Sequence, residues 1–188
     1  MKKYTLLLWV VFCLFACKQD NIDPYEKRDI IKELLWGDWV VNSVKVELEV
    51  ANTPLALLVK DEAAKTMERA IMNKIQNNVL RITADKAYCY RGGQIHPSNY
   101  QIAAERLIFE DNNVLGFPIS QIYIHQDSLI QNKMIAYMEK DEMIDILKDM
   151  GETGYLWVID WYVRSARCNL FFKKDTEGQY DYLFTSSE

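Results

Sequence analysis

The chain has 188 residues, a formal net charge of −5, 49% hydrophobic residues and 26% charged ones. That composition suits one domain with a single core and argues against global disorder. An acidic chain without a basic stripe is a poor partner for nucleic acid or for an anionic membrane surface.

In chain order, Met1-Lys2-Lys3 is a short basic start, and residues 6–16 form an apolar run too short to span a bilayer comfortably. Together they read as a secretory signal peptide. The run ends in Leu14-Phe15-Ala16-Cys17, which resembles the lipobox of bacterial lipoproteins: an apolar residue, a tolerated one, a small one, then Cys. The resemblance implies cleavage behind Ala16, a diacylglyceryl thioether on Cys17 and a stable anchor of several acyl chains. Cys13 does not compete, because Phe12 before it is not small. Losing Lys2 and Lys3 with the leader takes the net charge from −5 to about −7. Lys18 follows the anchor where Asp would mark retention in Gram-negative lipoprotein sorting, which implies the outer membrane. Lys18-Gln19-Asp20 also resembles the short charged export signals of Bacteroidetes surface lipoproteins, so periplasmic and surface display both stay open. Of the four cysteines, Cys89 and Cys168 remain after processing, both in strand-like segments. A disulfide between them and a pair of buried free thiols are both open.

A polar tether with Pro24 leads to residues 26–35, where Ile30, Ile31, Leu34 and Leu35 are spaced for a short amphipathic helix. Gly37 stops it, and Trp39 opens a long strand with one of the largest apolar surfaces a core can take. Gly37 has no Cβ, so another group can sit close against it. Along this strand the apolar parity slips between Trp39/Val41 and Val44/Val46/Leu48, which predicts a β-bulge at Asn42-Ser43. Pro54 then opens a helix over 54–77 with Leu55, Val59, Ala63, Met67, Ile71 and Ile75 on one face. From 79 the period changes to two, predicting strands over 79–83, 87–91, 100–103, 106–110, 119–125 and 129–137. Gly92-Gly93 and 96–99 read as a loop. A second helix is expected over 139–150, then aromatic strands 155–163 and 166–173 joined at Arg164-Ser165 by a bulge or turn, then a loose polar tail.

Such a series of hairpins with few helices predicts a mainly β fold, an antiparallel up-and-down barrel of about eight strands. The long helix is inserted after the first strand and the shorter one before the last strands. Gly37-Asp38-Trp39 at the head of the first long strand matches the Gly-x-Trp hallmark of lipocalins. The mature chain resembles the lipocalin-like lipoprotein domains of Bacteroidetes, which often carry a helical insert after that strand. It lacks a Thr-Asp-Tyr motif, and the late Arg that stacks on the lipocalin Trp has Arg164 or Arg167 as candidates. The chain thus divides into a signal peptide (1–16), a lipidated tether with its short helix (17–33), a barrel domain (34–175) and a tail (176–188).

The resemblance implies a non-catalytic envelope protein that binds one small, apolar ligand inside the barrel. Trp39, Tyr88, Tyr90, Tyr100, Tyr123, Trp157 and Trp161 are the inward candidates, with helix 54–77 closing the mouth. The same rings can instead fill a solid barrel. A second reading turns the aromatics outward as platforms that dock a glycan or a partner protein. Catalysis, a cofactor and a metal are not expected. His96 in a turn and His125 at a strand end have no metal spacing, and neither thiol has an activating neighbour. Asp141, Asp145 and Asp149 read as a solvated helix face.

Overall fold

In the computed structural model, which describes residues 24–116, 118–119, 121–149, 151 and 161–185, the spine is strand β1 (Gly37–Val50). Cys17, the leader and Trp157 lie outside the described residues. Two units are separable, Met1–Ile30 and Ile31–Glu188, and the sheet lies wholly in the second. Helix α1 (Pro24–Leu35) leads into β1, burying Ile31 and Leu35. The predicted bulge is present: Val41 faces Phe172 and Ser43 faces Phe171, so Asn42 is the extra residue. It brings Trp39, Val41, Val46 and Leu48 to the core while Lys45, Glu47 and Glu49 stay exposed.

Thr53 caps helix α2 (Pro54–Ile75): its hydroxyl accepts from the Ala56 N–H at 3.3 Å, and Pro54 needs no partner in the first turn. The buried stripe is Ala56, Ala63, Met67, Ala70, Ile71 and Ile75, so the expected Leu55 is half exposed instead. Strand β2 (Val79–Ile82) pairs with β1 only from Gly37 to Val40. Past the bulge α2 lies against β1, and Glu68 Oε1 accepts the Val46 N–H at 2.9 Å, a ladder group that a longer β2 would have met.

A meander follows: β3 (Ala87–Arg91), β4 (Gln94–Ser98), β5 (Tyr100–Ala103), β6 (Arg106–Phe109) and β7 (Gln121–Tyr123). Helix α3 (Gln126–Ile130), β8 (Lys133–Glu139), helix α4 (Lys140–Asp149) and β9 (Val163–Asp175) complete it. The sheet order is β4-β3-β2-β1-β9-β8-β7-β6-β5, every pair antiparallel. Strand β9 returns to β1, so the up-and-down barrel closes there, and among the described strands the unpaired edges are β4 and β5. Those two edges are consecutive in the chain, and their corner is stitched by Glu110 N–H to Asn99 O at 3.1 Å and Asn99 Nδ2 to Glu110 Oε2 at 2.8 Å. The nearly closed, mainly β barrel with two inserted helices is the expected architecture, with nine strands.

Some elements differ from expectation. The loop expected around His96 is strand β4, because Pro97 sits on a sheet edge where its missing N–H costs no ladder bond. The start of the expected strand 129–137 is the short helix α3, and β8 begins at Lys133. Strand β9 runs on through Arg164-Ser165 with a register shift, Glu49 facing Ser165 and Val50 facing Val163, so that junction is a bulge. The tail is tied down. Arg81 Nε and Nη2 donate to the two oxygens of Asp38 at 2.6 Å each, and Arg81 also pairs with Asp181 in a 3₁₀ turn (Asp181–Leu183). Phe184 packs under that guanidinium at 4.2 Å and edge-on to Tyr90.

Candidate functional site

One end of the barrel is built around Trp39, which is fully buried. Its indole N–H donates to Leu35 O at 2.7 Å, so the end of α1 and the start of β1 hold one another. Lys174 lies over the ring, Nζ 5.6 Å from its centroid, and donates to Leu34 O at 2.8 Å. Burial pushes the Lys174 ammonium below its ordinary pKa. Gly37 has a φ of +126°, so the backbone favours glycine there, and a Cβ would come within 2.8 Å of Lys174 Cε and push the end of that side chain aside. The cation on the tryptophan is therefore Lys174, not Arg164 or Arg167: Arg164 is exposed and Arg167 sits on Tyr137.

The other inward candidates divide by strand parity. Tyr100 faces the core and its hydroxyl donates to Thr83 O. Ala87 and Cys89 are the buried positions of β3, so Tyr88 and Tyr90 face outward, a correction. Ile122 is the buried residue of β7, which turns Tyr123 outward as well. Trp161 precedes β9 in a helical turn and is 82% exposed, so it is not an inward residue either. The reason is volume. Met67, Ile71 and Ile75 from α2 join Trp39, Leu170 and Phe172 in one core cluster, leaving room for Ala87 and Cys89 but not for tyrosines.

The outward tyrosines are organised on the other half of the sheet. Arg106 Cζ lies 5.3 Å from the Tyr123 ring, Tyr123 and Tyr137 pack at 4.7 Å, and Arg167 Cζ lies 5.3 Å from the Tyr137 ring. This Arg–Tyr–Tyr–Arg row crosses β6, β7, β8 and β9. Register places Ile135 and Phe171 beside Tyr123, with Phe171 37% exposed. Outward positions of β6, β7, β8 and the stretch of β9 paired to β8 carry Arg106, Lys133, Arg167 and Lys173 against one acid, Glu139. Local pairing follows from the sheet: Tyr123 and Arg106 are cross-strand partners, as are Glu139 and Arg167.

Of the remaining chemical candidates, β3 and β4 set Cys89 opposite His96. Cys89 and Cys168 are free and buried. Cys89 is level with Leu80 and hence Trp39, whereas Cys168 faces Val46. That separation is roughly 20 Å along β1, far beyond disulfide reach. Burial pushes both thiols up to about 12, so they stay protonated at neutral pH. His96 lies in β4 rather than a turn, and His125 Nδ1 is 2.8 Å from Glu105 Oε2. Asp145 pairs with Lys148 at 3.8 Å, and among the described residues no group of three or more His, Cys, Asp or Glu is placed to hold a metal.

Comparison with known proteins gives no match to a family model, to a curated sequence or to a solved structure. The class is thus defined by the fold: an up-and-down β-barrel with a long helix after its first strand, able in principle to hold a ligand or present a sheet face.

Proposed function

We propose that the chain is a non-catalytic lipoprotein of the cell envelope, lipocalin-like and anchored through Cys17, that docks an acidic protein surface on the outward face of β6–β9. The observation that carries this reading is the Arg106–Tyr123–Tyr137–Arg167 row with Phe171 beside it. Tyr, Phe and Arg are enriched at protein interfaces, and a sheet face presents them without ordering a loop. These strands carry four cations against Glu139, with Glu47 of β1 in register beside Arg167, and that local excess of positive charge on a chain of net charge −5 favours an acidic partner and speeds its encounter. A glycan would need free ring faces, and each tyrosine already carries an arginine. The lipobox supports the anchor, and the outer membrane follows from Lys18 by analogy.

The alternative, an apolar ligand inside the barrel, draws on two described inward aromatics. Both are engaged: Trp39 lies under Lys174, and Tyr100 is tied to Thr83.

The test is native electrophoresis of envelope membranes dissolved in mild detergent. The wild-type chain should run in an assembly larger than itself. A double variant, Arg106→Gln with Arg167→Gln, should run free and stay folded, because glutamine sets no third carboxylate between Glu47 and Glu139, the register neighbours of Arg167. A wild-type chain that runs only as itself would contradict the docking role.

A further inference from the structure

The core-facing side of the β3–β4 hairpin turns polar toward its tip. Register pairs Ala87 with Ser98, Cys89 with His96 and Arg91 with Gln94, so His96, Arg91 and Gln94 continue the inward face. These residues lie at the end of β2–β4 remote from Gly37. The last turn of α2 brings Lys74 there, and Asn78 is held in place by donating its amide to Leu115 O at 2.9 Å. Together with Gly92 and Gly116 they line an open cleft of about 410 Å³.

Two features set this cleft apart. Its described lining contains Lys74, Arg91 and His96 and no acidic residue, in a chain with 27 acids. Arg91 Nε is buried and has no hydrogen-bond partner among the described residues, whereas buried donors are ordinarily paired. Gly116 makes room for the arginine: a Cβ there would stand 2.9 Å from Nη1 and 3.2 Å from Cδ. The guanidinium is thus housed against a glycine, with one donor waiting.

We propose that this cleft is a second, separate binding site, for a small organic anion that presents a phosphate or carboxylate group to Arg91. A guanidinium pairs with such a group through two N–H donors together, and Arg91 lines the cleft. Lys74 adds charge, and Gln94 and His96 supply donors around the rim. The open cleft has more room than a bare ion fills, which leaves space for the rest of a small molecule beside its anionic group. The site shares no residue with the β6–β9 face and stands or falls independently of it.

Isothermal titration of the full chain in detergent tests this, with glycerol 3-phosphate, succinate and uncharged glycerol as probes. Saturable binding of either anion, with none of glycerol, is expected, and whichever anion binds tighter identifies the headgroup. Arg91→Gln should weaken that binding at least about tenfold, as loss of a charge-assisted pair does, and Lys74→Gln should weaken it less. Gly116→Ala provides an independent variant, since displacing the guanidinium should lower affinity while Arg91 remains. Arg164→Gln, an exposed arginine outside the cleft, should leave binding unchanged. Absence of saturable binding by both anions would overturn the proposal. So would equal losses in Arg91→Gln and Arg164→Gln, which would reveal only general charge attraction.

Discussion

Trp39→Ala is expected to lower the free energy of unfolding by about 3–5 kcal/mol, the range for removing a large buried aromatic. The cost exceeds the lost apolar area because three connections end together. The indole holds Leu35 at the end of α1, carries Lys174 above it, and packs against Leu80 across the β1–β2 ladder. Alanine leaves a cavity at the one place where the head of β1 is paired on both sides, to β2 and to β9. Urea unfolding followed by far-ultraviolet circular dichroism measures the change. An alanine variant with wild-type stability would remove Trp39 from the centre of the fold. Lys174→Met should cost less, about 1–2 kcal/mol, since it loses one hydrogen bond and a cation–π contact but keeps most of the packing.

Arg81→Met comes next, with an expected loss of about 3 kcal/mol, the lower end for breaking a buried ion pair because Arg81 itself is partly solvated. Asp38 is only 5% exposed and would lose its bidentate partner. The same substitution frees Asp181 and Phe184, so residues 176–185, which carry Tyr180, Tyr182, Leu183 and Phe184, should become cleavable by chymotrypsin while the barrel persists. Loss of stability without a new cleavage in this segment would show that Arg81 does not hold the tail.

How far the sequence anticipated these features depends on which physical signal each one leaves. The bulge at Asn42 was legible because one buried sheet face forces apolar parity, and a slip in parity has no other cheap explanation. The helix over Pro54–Ile75 was legible for the same reason at a different period. The orientation of Tyr88, Tyr90 and Tyr123 was not. In β3 both parities look buriable, and ring size suggested the wrong one; the small residues face inward because α2 and Trp39 already occupy the interior. Tyrosine also tolerates either side, with an apolar body and a polar tip. Strand β4 was hidden by Pro97, whose meaning depends on whether the strand is an edge. Lys174 left one trace, the glycine at 37 that makes room for it, and a search confined to arginines missed that trace. The Arg106–Tyr123–Tyr137–Arg167 row was invisible because its members come from four strands and meet only through register. Arg91 and Lys74 were invisible as a pair for the same reason.

The most direct test of docking on the β6–β9 face is photo-crosslinking in the cells that make the protein. A benzoyl-phenylalanine at the position of Phe171 keeps an aromatic ring on the proposed face, and one at Lys65, exposed on α2, reports an unrelated surface. Docking on this face predicts one discrete protein adduct from position 171, lost when Arg106 and Arg167 are both changed to Gln, and none from position 65. No adduct from position 171, or the same adducts from both positions, would contradict it.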